Sequence, residues 1–217
     1  MKITAIEPQA TNPERVNIFV DGRFLLGVNA AIVLQMGLVV EQELLPVQLE
    51  QLRSEETLQQ AVERAYNYLS YRPRSRTEVR NYLRRKETPP AIIDAALARL
   101  DDLNLVNDRD FTTFWVESRE HFSPRGARAL KNELRMKGVD REVLDELIDN
   151  EKDEERAMLA GRKKALSLVR IPDIDFATFR SRLGSFLQRR GFSYDITART
   201  IRTLWHELMP DTDADDM

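Results

Sequence analysis

The chain has 217 residues, of which 42% are hydrophobic and 32% are charged, so it can fill a core and cover a solvated surface. It contains no cysteine, which excludes disulfides, thiolate nucleophiles and cysteine-ligated metals. No apolar run reaches the length of a signal peptide or of a membrane span. We therefore expect a cytoplasmic protein that does not bind membranes.

The net charge of −3 at pH 7 conceals a strong segregation of charge along the chain. Residues 61–100 carry nine Lys and Arg against four Asp and Glu, and residues 161–190 carry eight against two. Residues 140–156 carry three bases against nine acids, and residues 207–217 carry five acids and no base. Local fields, rather than the net charge, should therefore decide which partners bind.

The N-terminal residues have the pattern of a β-hairpin. Two β-branched and apolar runs, 15–20 and 23–28, are joined by Asp21-Gly22. This dipeptide suits a type I′ turn, which needs positive φ at both central residues. Residues 3–6 could add a third strand. A short helix over 30–36 should follow, begun by an Asn cap and ended by a Gly.

From about residue 57 onward, the capping and stop signals predict about nine helices of 10 to 20 residues. Ser75 stands three residues before Glu78, as in a capping box. Ser123 before Pro124 predicts a further helix start. The acidic run at 140–155 has the composition of a solvated helix face or of a connector.

These helices repeat in threes. Leu83, Leu134 and Leu187 are spaced by 51 and 53 residues, and each is followed three positions later by a base. The apolar residues four before, nine after and fourteen after each anchor also recur, at Val79, Leu130 and Leu183, at Ile92, Val143 and Ile196, and at Leu97, Ile148 and Ile201. The alternative is a chance alignment of amphipathic helices, but the recurring polar turn favours duplicated modules.

The sequence therefore predicts a mainly α-helical protein of three tandem three-helix modules, which form an elongated, curved body, with a small N-terminal lobe that contains the hairpin. The predicted parts are a lobe at 1–53, modules at 54–107, 108–152 and 153–210, and an acidic tail at 211–217.

Catalysis has little support in the sequence. His121 and His206 stand alone, without the close spacing of metal ligands. No glycine-rich phosphate-binding loop is present. We expect no metal, no cofactor and no enzymatic activity, and the alternative is an enzyme of an unfamiliar type.

Basic residues recur on the middle helix of each module. In the first two modules they fall on one side of the helix at 100° per residue. A solvated surface is the simpler interpretation for any one helix, but the recurrence favours a surface that binds phosphate or acidic protein. The candidate contact residues are Arg72, Arg74, Arg76, Arg80, Arg84, Arg125, Arg128, Lys131, Arg135, Lys137, Arg182, Arg189 and Arg190.

Five segments, at 71–79, 83–86, 103–111, 126–139 and 187–192, have an order and spacing that resemble the RecX family of bacterial regulators. The resemblance covers residues 57 to 208. The sequence departs from the repeat at Glu87, where the later modules have Gly, and at the insertion-like 170–175.

The resemblance implies a protein that binds the RecA–DNA filament and restrains the recombinase, ATPase and co-protease activities of RecA in DNA repair, homologous recombination and the SOS response. We expect the protein to be a monomer. Single- or double-stranded DNA would be a further partner. The alternative is a helical protein that binds DNA directly through its basic helix faces.

Overall fold

The computed structural model describes residues 1–210, so the predicted acidic tail lies outside the described residues. The chain forms two compact units. Of the described residues, the first unit contains 1–72 and 79–106, and the second contains 73–78 and 107–210.

An antiparallel sheet of three strands begins the first unit. The strands are β1 (Ile3–Gln9), β2 (Asn12–Val20) and β3 (Arg23–Asn29), paired in the order β1-β2-β3. Val20 pairs with Arg23 across the turn, where Asp21 and Gly22 have φ of 50° and 76°. Both residues thus have the positive φ that a type I′ turn requires. The structure confirms the hairpin and the third strand.

Two helices follow the sheet. The side chain of Asn29 accepts a hydrogen bond from the amide of Ala31 and caps α1 (Ala30–Gln35). α2 (Pro46–Leu69) is a continuous helix of 24 residues. The boundary that the sequence predicted after residue 53 falls inside α2, because no Gly or Pro interrupts the helix after Pro46.

α2 belongs to two hydrophobic clusters. Leu49 and Leu52 pack with the sheet and α1, whereas Ala61 and Ala65 pack with the two helices that follow. Buried Glu56 lies between these clusters and accepts hydrogen bonds from Arg15 Nη2 at 2.5 Å and from the Asn29 amide at 2.9 Å. One helix thus serves both the lobe and the first module.

The described residues confirm a mainly helical fold with three-helix modules. Nine helices run from α2 onward, as predicted, although α7 is only 7 residues long. After α2 they are α3 (Arg76–Arg85), α4 (Pro90–Asp102), α5 (Asp108–Phe122), α6 (Ala127–Met136), α7 (Arg141–Leu147), α8 (Asp153–Leu168), α9 (Phe176–Arg189) and α10 (Tyr194–Leu208).

The repeated apolar positions form the core of each module. The anchor leucines and the residues four before them are completely buried. Each set lies in a hydrophobic cluster of its own, built from α2–α4, α5–α7 or α8–α10. The buried positions are Val79, Leu83, Leu130, Leu134, Leu183 and Leu187.

Candidate interaction surface

The predicted basic residues have different structural roles, and Lys137 makes several contacts within the protein. Its Nζ forms an ion pair with Glu78 Oε1 at 2.7 Å and lies 4.2 Å from the centre of the Trp115 ring. The Lys137 carbonyl accepts a hydrogen bond from Ser75 Oγ at 2.6 Å. The next residue, Gly138, has φ of 82°, and a Cβ there would lie 2.1 Å from Thr77 Oγ1. Lys137 therefore holds the segment 73–78 against α5 and α6.

Arg190 has the equivalent role one module later. Its carbonyl accepts a hydrogen bond from the Gly126 amide at 3.0 Å. Its Nη1 donates to the Pro124 carbonyl at 3.0 Å, and the guanidinium lies 4.5 Å from the Phe186 ring. Partial burial, and secondly the charge of Arg125, lower the pKa of Arg190. Arg190 is therefore largely engaged inside the protein.

The contact of Lys137 with Ser75 and the contact of Arg190 with Gly126 are two junctions that occupy equivalent repeat positions. Ser75 and Gly126 both stand eight residues before an anchor leucine, and Lys137 and Arg190 both stand three residues after one. In each junction, the carbonyl of the base is bound by the residue at the start of the preceding middle helix. In the second and third modules the base and the glycine thus bind the segment at the start of a preceding middle helix, a role that the sequence pattern did not distinguish from partner binding.

Arg125 is also engaged internally. Its Nη1 lies 2.7 Å from Glu133 Oε1, and Arg119 Nε lies 2.8 Å from the other oxygen of the same carboxylate. Trp115 Nε1 donates to that second oxygen at 2.9 Å. The Arg125 side chain is half-buried. Its position is thus set by the packing of α5 against α6.

Two further candidates bridge the middle and last helices of a module. Arg80 Nη1 lies 2.6 Å from Asp94 Oδ1, and Lys131 Nζ lies 2.8 Å from Asp145 Oδ1. Hydrogen bonds from Lys131 and then from Arg141 lower the pKa of Asp145. Both basic residues still reach solvent.

The remaining candidates differ in exposure. Half-buried cations lie around the start of α3, where the Arg76 amide donates to Asp108 Oδ1 at 2.8 Å. The exposed cations form no ion pair with any residue of the described chain, and Arg135 makes only a 3.4 Å hydrogen bond to Asn132. The half-buried group is Arg72, Arg74 and Arg76, and the exposed group is Arg84, Arg128, Arg135, Arg182 and Arg189.

The prediction for the acidic run was wrong at Asp153. This residue is buried, and its two carboxylate oxygens lie 2.8 and 3.1 Å from the Ala127 amide. Arg156 is also buried and binds both Asp153 and Glu120. Burial raises the pKa of Asp153, against the opposing effect of the Ala127 hydrogen bond. The Asp-x-x-Arg spacing within one helix was the available signal.

Asp153 also contacts the start of α6, which differs from the predicted start. α6 begins at Ala127 and not at Ser123-Pro124, as the sequence had predicted. Asp153 accepts the hydrogen bond of the first helical amide, which the local sequence at Gly126 cannot satisfy with a side chain. The same contact sets the start of the helix that carries Arg128 and Arg135.

Within residues 1–210, no group of three or more His, Asp or Glu side chains is arranged to hold a metal ion. No described helix is long and apolar enough to cross a membrane. His121 and His206 are both exposed. The absence of enzymatic activity remains a prediction.

The fold defines a class of protein built from an N-terminal three-stranded sheet and tandem three-helix modules. Family models for the RecX N-terminal domain and for its first, second and third three-helix domains match residues 1–44, 61–100, 107–148 and 151–201. The chain belongs to the RecX family.

Relatives and solved structures agree with this assignment. Regulatory protein RecX of Bacillus subtilis is 29% identical over 97% of the chain and 80% of the relative. Regulatory protein RecX of Bacillus velezensis is 30% identical over 89% of the chain and 74% of the relative.

A crystal structure of a regulatory protein RecX covers 97% of this chain and 98% of that one, with a TM-score of 0.73 at 23% identity, which supports the fold. The match to the crystal structure of RecX from Lactobacillus salivarius covers 69% of this chain and 97% of that one, with a TM-score of 0.61 at 26% identity.

Proposed function

We propose that this chain regulates the RecA recombinase by binding the RecA–DNA filament through the exposed cations of α6, and that binding restrains the activities of RecA. Membership of a family of regulatory proteins supports a regulatory role. The role would be cytoplasmic, would be performed by a monomer, and would belong to recombinational repair and the SOS response.

The observation that carries the proposal is the exposure of Arg128 and Arg135 on α6. Both side chains reach solvent and lack an ion-pair partner within residues 1–210. They lie on either side of Lys131, which is held by Asp145. Acidic protein and phosphate surfaces are the natural partners of such cations. The other exposed candidates, Arg84, Arg182 and Arg189, could extend this surface.

A variant that reverses only the exposed bases of α6 tests the proposed surface more specifically than one that reverses every base on the helix. Arg128→Glu with Arg135→Glu reverses the two exposed charges and leaves the Lys131–Asp145 bridge intact. Exposed substitutions usually change stability by within about 0.5 kcal/mol each, so the fold should persist. Arg23→Glu with Arg64→Glu makes the same change of charge at two exposed positions elsewhere and serves as the control.

Binding would be measured by anisotropy with RecA assembled on single-stranded DNA in a slowly hydrolysed nucleotide. We expect the α6 variant to bind the filament about tenfold more weakly or worse, whereas the control binds like the wild type. Equal binding by all three proteins would refute this surface.

A measurement with DNA alone, without RecA, distinguishes the alternative function, which is direct DNA binding. Direct DNA binding through the same helix faces would give an affinity for DNA without RecA that falls steeply with salt. We expect the wild type to bind the filament much more tightly than the same DNA alone. If the two affinities are equal, the chain is a DNA-binding protein rather than a filament regulator.

A further inference from the structure

The third module lacks a bridge that the first two modules share. Arg80 pairs with Asp94 and Lys131 pairs with Asp145, in each case three residues before the repeated apolar positions of the middle and last helices. The equivalent positions in the third module are Gly184 on α9 and Ala198 on α10. Two short residues thus replace a charged pair.

A groove of about 820 Å³ lies between α9 and α10 at this place. Its lining combines small residues with apolar atoms, including Ala177, Ser181, Gly184, Ala198 and Ile201. Its volume lies within the range of roughly 300–1,000 Å³ that is usual for ligand pockets. The groove is therefore large enough to receive side chains of a partner.

The charges around the groove are mainly positive. Arg180, Arg199 and Arg202 line it, with Asp195 as the acid among the lining residues. Arg199 forms an ion pair with Glu154, whereas Arg180 and Arg202 are exposed and make no ion pair in the described part of the chain. The lining is complementary to carboxylates that flank an apolar side chain.

Local packing does not require the glycine on α9. A Cβ at Gly184 would meet Ile201 Cδ1 at 3.5 Å, an ordinary van der Waals contact. Glycine inside a helix is also less favourable than alanine. In addition, Thr197 lines the groove, and its buried Oγ1 has no hydrogen-bond partner among residues 1–210. Gly184 therefore leaves room in the groove, and Thr197 Oγ1 adds a buried polar atom whose hydrogen-bonding capacity is unfilled.

We propose that this groove binds an amphipathic helix of a partner protein, with an apolar side chain over Gly184 and Ala198 and with carboxylates at Arg180 and Arg202. A helix that lays its apolar face in a groove is a common mode of peptide recognition. The apolar half of the lining favours a protein helix over a phosphate backbone, which would need only cations. The site lies on α9 and α10, so the proposal does not rest on the binding surface of α6.

The test restores the missing bridge. Gly184→Arg with Ala198→Asp recreates the charged pair of the first two modules without changing the net charge, and it should fill the groove. Gln51→Arg with Ser54→Asp adds the same two residues to exposed positions of α2 as the control. Circular dichroism and thermal unfolding would show that both variants fold. The milder Gly184→Ala, which adds a single methyl group, provides a second variant.

The probe is a labelled synthetic helical peptide with leucines one turn apart and glutamates on both flanks. We expect it to bind the wild type and the control, and to bind the bridged variant about tenfold more weakly or worse in anisotropy measurements. Gly184→Ala should show an intermediate loss. A peptide with Gln in place of Glu should also bind the wild type more weakly.

Four results would overturn the proposal. The first is equal binding of the peptide by the wild type and the folded bridged variant, and the second is equal binding of the Glu and Gln peptides. The third is binding of labelled oligothymidylate but not of the peptide, which would make the groove a nucleic-acid site. The fourth is a dimer in light scattering that the bridged variant abolishes, which would identify a second copy of the chain as the occupant.

Discussion

Individual charged residues in this chain act according to burial rather than according to their charge. Lys137 and Arg190 belong to basic clusters in the sequence, yet both are bound within the protein. Asp153 belongs to an acidic run, yet it is buried against the start of α6. Arg128 and Arg135 remain exposed. A single substitution can therefore separate a structural charge from one that is free to bind.

Asp153→Ala should lower the free energy of unfolding by about 1–3 kcal/mol, because it leaves the Ala127 amide and the Arg156 guanidinium without this acceptor. Asp153→Asn should cost less, since its amide oxygen can still accept from Ala127. Urea denaturation at pH 7 would measure both. Equal losses would show that the hydrogen bond to Ala127 contributes little.

The pH dependence of stability should also differ between the wild type and Asp153→Asn. Burial raises the pKa of Asp153 above its ordinary value of 3.8, so the folded state holds the proton more tightly than the unfolded state. The resulting stabilisation is present below pH 3.8 and is lost as pH rises through the raised pKa. The wild type should thus lose stability relative to the Asn variant over this interval. A constant difference in urea denaturation would contradict the prediction.

At the level of the elements, the turns after the middle helices are alike in backbone and different in sequence. Gly138 and Gly191 have φ of 82° and 89°, and Glu87 has φ of 59° at the equivalent turn of the first module. Glycine adopts this region without strain, whereas another residue pays about 1–2 kcal/mol. The glycines also allow close approach, since a Cβ at Gly191 would lie 2.5 Å from the Ala129 Cβ. These turns therefore respond differently to substitution.

Gly138→Ala should destabilise the protein by more than about 1 kcal/mol, because it adds both strain and a clash with Thr77. Glu87→Gly should instead stabilise it slightly, by about 0.5–1 kcal/mol, since the relief of strain exceeds the entropy of the added glycine. Chemical denaturation midpoints would measure both changes. A stabilising Gly138→Ala would show that the junction with Thr77 can relax freely.

At the scale of the whole molecule, α2 joins two hydrophobic clusters of the first unit. Leu52 is buried with the sheet, and Ala61 and Ala65 are buried with α3 and α4. The second unit has separate clusters for its own two modules. The lobe and the first module should therefore lose structure together.

Leu52→Ala should cost about 2–5 kcal/mol and should weaken the hydrogen-exchange protection of α4 as well as of the sheet. Leu130→Ala, a matched substitution of an equally buried leucine, should weaken protection of α5 to α7. Mass spectrometry of exchanged peptides would locate each effect. Loss of protection confined to the sheet would show that the two parts of α2 open independently.

The sequence by itself determined the hairpin, the helices, the threefold repeat and the resemblance to RecX. These follow from local chemistry: positive φ at Asp21-Gly22, caps such as Asn29, and apolar periodicity. Only the tertiary structure decided which charges stay exposed, because pairs such as Lys137 with Glu78 are 59 residues apart. It likewise revealed the groove at Gly184 and Ala198, since a missing bridge becomes visible only when two helices are placed side by side.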